Sequence, residues 1–129
     1  MSKSGGINLI IAIGAFNAFL AIGTGAFAAH GLKDLLSADY LNTFKTAADY
    51  QLIHGIGLII IGILSKSNPD RYNFVAATLM FIGIILFCGS LYLLTLTNTK
   101  WFGFITPFGG LFFLASWLTL GFNYLLDKD

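Results

Sequence analysis

With 57% hydrophobic and only 10% charged side chains in 129 residues, the chain has too little charge to coat a water-facing surface. A soluble domain carries roughly 25%. A net charge of +1 without a clustered basic patch excludes a nucleic-acid surface, and a single cysteine, Cys88, excludes an intrachain disulfide framework.

The composition is that of one integral membrane domain covering residues 1–129. Four apolar segments meet or approach the roughly 20 residues a helix needs to cross a bilayer core. They cover about 7–29, 38–64, 74–96 and 107–126. Helices are expected because barrel strands would alternate polar and apolar residues, and these runs do not. Short connections predict an all-α, polytopic, antiparallel four-helix bundle.

The first segment has some features of a signal peptide: Lys3, an apolar run, and Ala26-Phe27-Ala28. Its run is longer than a typical h-region and three spans follow, so it reads as a retained helix. Gly14, Ala18, Ala21, Gly25 and Ala28 are spaced four, three, four, three. In lipid, small residues of this kind let helices approach closely. Asn17 lies beside the seam, placed to hydrogen-bond across it. His30 closes the helix, where an imidazolium suits the dipole, and Gly31 reads as a left-handed C-cap.

The second span is apolar only over 52–64, thirteen residues. That is about 20 Å of helix against a core of about 30 Å. It must therefore borrow upstream residues, back to about Lys45. Ser37 is a plausible N-cap. Leu36, Tyr40 and Phe44 repeat every fourth residue and predict a short amphipathic segment between the first two spans. Thr46, Tyr50, Gln51 and His54 then fall at or inside the membrane boundary. Helical geometry puts Tyr50, Gln51 and His54 on one inward face, whereas Asp49 points elsewhere, toward Lys45.

The loop 65–73 holds Asn68-Pro69-Asp70, a turn signal. The third span lines up Ala76, Gly83 and Ser90 at intervals of seven; the fourth lines up Gly109, Ser116 and Asn123 likewise, with Thr119 on the same stripe. Thr106-Pro107 reads as an N-cap followed by proline at the first helical position. Lys3, Lys66, Arg71 and Lys128 fall on one side of the membrane, and Lys33, Lys45 and Lys100 on the other. Four against three favours cytoplasmic termini.

Two histidines, one distant cysteine and no glutamate make a poor metal site, and His30 and His54 sit at unmatched depths for bis-histidine haem. No metal or cofactor is expected. No nucleophile–base motif or phosphate loop appears; Gly23-Thr24-Gly25 lies within a span, where small residues pack. An enzyme is therefore not expected.

The stretches GAFAAHGLK (25–33), FKTAADYQLIHG (44–55), LFCGSLYLL (86–94) and ITPFGG (105–110) occur in order across nearly the whole chain. Together they resemble the YwdK/YgdD-like small bacterial membrane proteins, domain-of-unknown-function family 423. The resemblance implies a polytopic inner-membrane protein of about four helices and carries no catalytic role. Its patterned positions include His30, Gly31, Thr46, Tyr50, Gln51, His54, Gly89, Ser90, Tyr92, Thr106, Pro107 and Gly109.

Up-down topology brings the ends of these four motifs to one side of the bundle. The expected polar site is thus His30, Thr46, Tyr50, Gln51, His54, Ser90, Tyr92 and Thr106, and the expected packing residues are Gly14, Ala18, Ala21, Gly25, Gly83 and Gly109. Intramembrane ionisable groups are functional suspects, with a satisfied core histidine as the bland alternative. Three functions follow. The first is a non-enzymatic accessory, assembly or lipid- or small-molecule-binding bundle, in contact with the bilayer and with a membrane partner or further copies of itself. The second is an oligomeric transporter or channel in which His54 titrates or contacts solute. The third is a membrane redox subunit.

Overall fold

The computed structural model describes residues 3–126, and the expectation on Lys128 lies outside them. Four helices are long and apolar enough to cross a membrane. They are α1 (Lys3–His30), α2 (Ala38–Ser67), α3 (Arg71–Thr97) and α4 (Thr106–Leu126), the last preceded by a 3₁₀ turn over Lys100–Phe104. There is no strand among the described residues.

Hydrogen bonding carries the helices beyond their apolar runs. The Ser37 hydroxyl caps α2 by accepting from the Tyr40 amide at 3.2 Å, and Asp70 caps α3 by accepting from the Tyr72 amide at 3.2 Å. The expected nine-residue loop therefore shrinks to 68–70. At about 1.5 Å per residue, α2 is about 45 Å long, so it overruns a core of about 30 Å. Its overrun does not lie along the bilayer by itself. Phe44 is buried against Ala28 and Leu32, and Leu36 packs on the same cluster. The fourfold stripe faces the protein.

Two ends differ from expectation. No described glycine has a positive φ, so Gly31 is not a left-handed cap; the Phe27 carbonyl instead accepts from both the Gly31 and Leu32 amides. Thr106 is not an N-cap either. The 3₁₀ turn runs almost directly into α4, and the Thr106 hydroxyl turns sideways toward Ser90. The left-handed residue is Asn98, at φ 54°, which ends α3.

The molecule is two close hairpins, α1 on α2 and α3 on α4, joined where α2 packs on α3. Leu58 and Ile61 of α2 meet Ala76, Met80 and Ile84 of α3 and Phe113 of α4 in the main core. Glycine sets the closest approaches. A methyl group on Gly14 would strike the Gly55 carbonyl, and one on Gly55 the Ala18 amide. Gly83 accommodates the Phe113 ring, and Gly109 lies against the Phe87 backbone. Ala21 and Ala28 are buried on the α1 seam. Gly25 is different: a methyl there meets nothing within 4 Å. The seven-residue stripes of α3 and α4 do face each other, with Ser116 donating to the Ala76 carbonyl at 2.6 Å.

This pattern distinguishes glycines that resemble one another in sequence. Gly55→Val should cost about 1–3 kcal/mol by overpacking, whereas Gly25→Ala should stay within about 1 kcal/mol of wild type. Thermal unfolding in detergent micelles reads both.

Candidate functional site

Inside the membrane a polar side chain must find its partner within the protein. Gln51, on the inward face of α2, shows how this is done. Its Nε2 donates to Asn17 Oδ1 at 3.1 Å, and its Oε1 accepts from the Tyr92 hydroxyl at 2.8 Å. Asn17 Nδ2 donates to the Ile13 carbonyl at 2.9 Å. That backbone carbonyl is only an acceptor, so it fixes which way both amides point. With the Tyr92 proton committed to Gln51, the single Thr24 hydroxyl proton is shared between the Ala21 carbonyl and the Tyr92 oxygen, each 3.0 Å away. The result is a one-directional chain of hydrogen bonds, Tyr92 to Gln51 to Asn17 to Ile13, tying α3, α2 and α1 together.

His54 is built into a second cluster. It is only 4% exposed. Trp117 Nε1 lies 3.0 Å from its Nε2, and the Tyr50 carbonyl oxygen lies 2.6 Å from its Nδ1. An indole N–H only donates and a carbonyl only accepts. Nε2 must therefore be bare and Nδ1 must carry the proton: His54 is the neutral Nδ1–H tautomer. A second proton would set two donors against each other at Trp117. One face of the ring is covered by Phe113, stacked with centroids 3.5 Å apart and planes at 11°. Tyr50 stacks on Phe87 at 4.6 Å, closing an aromatic group drawn from α2, α3 and α4.

Ser90 and Thr106 form a third unit, their hydroxyls 2.6 Å apart between α3 and the start of α4. It sits at the end of a π-helical segment, Ile84–Gly89, inside α3. Wide turns of this kind are found where a helix has to re-aim its side chains. Here the turn carries Phe87, whose backbone abuts Gly109 and whose carbonyl faces Ser90 Oγ at 3.0 Å.

The eight expected site residues are thus distributed. Gln51 and Tyr92 share one network, and Ser90 and Thr106 form a pair; Tyr50 joins His54 through its backbone carbonyl and ring, but it is exposed and not inward as expected, because it lies at the edge of the helical face that Gln51 and His54 bury. His30 and Thr46 stand outside all three: both are exposed, and Thr46 Oγ1 donates back to the Asn42 carbonyl. Lys45 and Asp49 are exposed too, as their helical positions require. Three partners were not legible beforehand. Thr24 looked like a packing residue, and Trp117 and Phe113 looked like ordinary span residues. Only the pairing of α2 with α4 gives the last two their role.

A further polar cluster lies at the opposite end. Asn73, fully buried, donates to the Tyr124 hydroxyl at 3.1 Å and accepts from Asn123 Nδ2 at 3.2 Å. Among the described residues no buried side-chain nitrogen or oxygen lacks a partner. Three cavities on the outer surface of the bundle are lined by none of the eight expected residues.

Residues 24–110 match the family described as "Protein of unknown function (DUF423)". The chain is 48% identical to a UPF0382 membrane protein of Staphylococcus saprophyticus over 88% of its own length and 94% of that protein's. It is 46% identical to a UPF0382 membrane protein of Staphylococcus haemolyticus and 47% identical to one of Staphylococcus aureus, each over 88% of this chain and 93% of the relative. No solved structure matches the chain.

Removing one member of a buried pair exposes the cost of the other. Tyr92→Phe leaves Gln51 Oε1 without its donor and should cost about 1–3 kcal/mol. Trp117→Phe keeps an aromatic ring but orphans His54 Nε2, with a loss of the same order. Nitrogen NMR of labelled protein in micelles should show His54 as the Nδ1–H tautomer at neutral pH, and Trp117→Phe should keep that tautomer, because the Tyr50 carbonyl still accepts from Nδ1, while shifting the Nε2 resonance that loses its donor.

Proposed function

Because the chain belongs to the DUF423 family of multi-pass membrane proteins, we propose that it is a non-enzymatic component of the bacterial cell membrane that acts through its surfaces. It serves as an accessory or assembly protein, or as a lipid-binding bundle, whose helix faces contact lipid and a membrane partner or further copies of itself. One observation carries this reading. His54, the ionisable group expected to move protons or touch solute, is walled in by Phe113, Trp117 and Tyr50 and held in one tautomer. A proton-coupled carrier needs such a group to titrate and to see water from each side in turn. Here a second proton has no acceptor to meet.

The outer helices supply the surfaces. Phe16, Phe19 and Ile22 of α1, and Leu111, Leu114, Leu118 and Leu125 of α4, are all exposed. In hydrocarbon such residues face lipid or another helix. Exposed Lys3, Lys66 and Arg71 fall on one side and exposed Lys33, Lys45 and Lys100 on the other; the fourth cation that gives cytoplasmic termini their margin is Lys128.

Two measurements test this. Proteoliposomes carrying the purified protein and an internal pH dye should acidify no faster than empty ones, with or without His54→Gln. A proton flux that disappears in His54→Gln would replace this reading with a transporter. Purification in mild detergent should recover stoichiometric lipid or partner, and repeated recovery of a bare monomer would count against a role played through surfaces.

A further inference from the structure

Three cavities lie side by side in one half of the bundle. A groove of about 670 Å³ runs between α3 and α4, lined by Asp70, Tyr72 and Val75 on one side and by Thr119, Phe122 and Asn123 on the other. A second, of about 340 Å³, lies where the α1–α2 hairpin meets α3, between Ile10, Ile13 and Leu58 and the side chains of Phe74 and Phe81. A shallower one of about 250 Å³ on the outer face of α3 shares Val75 with the first groove and Phe74 and Thr78 with the second. The three form one continuous corrugated surface, with α3 as a ridge between two channels. From Phe74 to Phe81 it is about 10 Å deep, within one leaflet of a core about 30 Å thick.

The surface is apolar below and charged at its mouth. Asp70 lines the larger groove beside Tyr72. Arg71 lies over the Tyr72 ring, 4.7 Å from its centre, and donates to the Tyr72 hydroxyl at 2.7 Å. This places the guanidinium at the mouth and leaves most of its fork of donors open. A cation and an anion on adjacent residues, above two apolar channels, complement a molecule with a phosphate, an ammonium group and two acyl chains.

We infer that this face of α3 is a binding site for a glycerophospholipid with an amine head group. The phosphate lies on Arg71, the ammonium on Asp70, and the chains straddle α3. A partner helix fits less well. Helix docking in lipid relies on small residues, whereas the larger groove presents Tyr72 and Val75 of α3 and Phe122 of α4, each between about two-fifths and three-fifths exposed. Nor would an apolar helix answer the charges of Asp70 and Arg71. The inference deepens the reading of the protein as one that acts through its surfaces, and it rests on that reading.

Native mass spectrometry of the full chain, with phosphatidylethanolamine, phosphatidylcholine and phosphatidylglycerol offered at equal concentration, tests the site. Phosphatidylethanolamine should be retained about tenfold better than phosphatidylglycerol, the scale of one charge-assisted hydrogen bond. Asp70→Asn should abolish that preference while keeping the helix cap, since asparagine caps as well as aspartate. Arg71→Gln should weaken all three lipids. Val75→Trp should block the channel, whereas Ile63→Trp, at an exposed position on α2, should not. Thermal melts confirm that each variant is folded. Equal retention of all three lipids by wild type, full retention by Val75→Trp, or a lipid-free dimer in place of the lipid adduct would each overturn the site. Loss of selectivity alongside silent proteoliposomes would remove only the lipid site. Selectivity alongside a His54-dependent flux would remove only the non-transporting role.

Discussion

With no water available in hydrocarbon, every polar atom on a spanning helix needs a partner supplied by the protein. Gln51 illustrates the consequence. Its amide has a donor end and an acceptor end, and each must be met by a group of the opposite kind. Asn17 on α1 meets one and Tyr92 on α3 meets the other. The lateral arrangement of three helices follows from satisfying one side chain. Apolar packing alone would not select it, because lipid tails offer a leucine much the same surroundings as another helix does.

The same requirement explains why the central helices carry most of the polarity. The buried polar residues Gln51, His54 and Ser65 belong to α2 and Asn73, Ser90 and Thr95 to α3, while α1 and α4 present long apolar faces outward. Glycine makes the inward pairing reachable. Contact of Gly14 with Gly55 lets α1 approach α2 closely enough for Asn17 to reach Gln51, and contact of Gly109 with Phe87 brings α4 within reach of Ser90. Small residues and polar residues are thus parts of one device.

Most of the fold was legible in the sequence, since apolar length and turn chemistry are local properties. The four spans, the Ser37 cap, the reach of Asn17 across its seam and the facing stripes of α3 and α4 all follow from spacing. The site was legible only in part. Gln51 and His54 share a helical face, so their inward direction could be derived, whereas Tyr50, expected on the same face, sits at its edge and is exposed. Which of them would meet one another could not be derived, because that depends on the rotation of α3 and α4 about their axes. Trp117 carries no signal of its own in the sequence; it becomes the partner of His54 only when α4 lies beside α2. His30 was drawn into the expected site by its nearness to the membrane boundary, yet being near a boundary does not direct a side chain inward. The Gly31 and Thr106 ends differ from expectation because neighbouring turns satisfied the backbone by another route.

The π-helical turn at Ile84–Gly89 has a consequence for how the chain can change over time. In a helix each residue advances the side chains by about 100° around the axis. The wide turn sets the phase between the two halves of α3, the first carrying Ala76 and Met80 against α2 and α4, the second carrying Tyr92 toward Gln51. Because a wide turn takes up about one residue more than an α-helix does for the same rotation, deleting one residue within it would leave a regular helix with Tyr92, Ser90 and Thr95 still in phase, whereas deleting one from the α-helical stretch after it would swing Tyr92 and Thr95 away from their partners together. Exchanging one apolar side chain for another would not. The turn is therefore the one stretch of α3 with a residue of slack, so the phase between Met80 and Ser90, and not the count of residues between them, is the structural element.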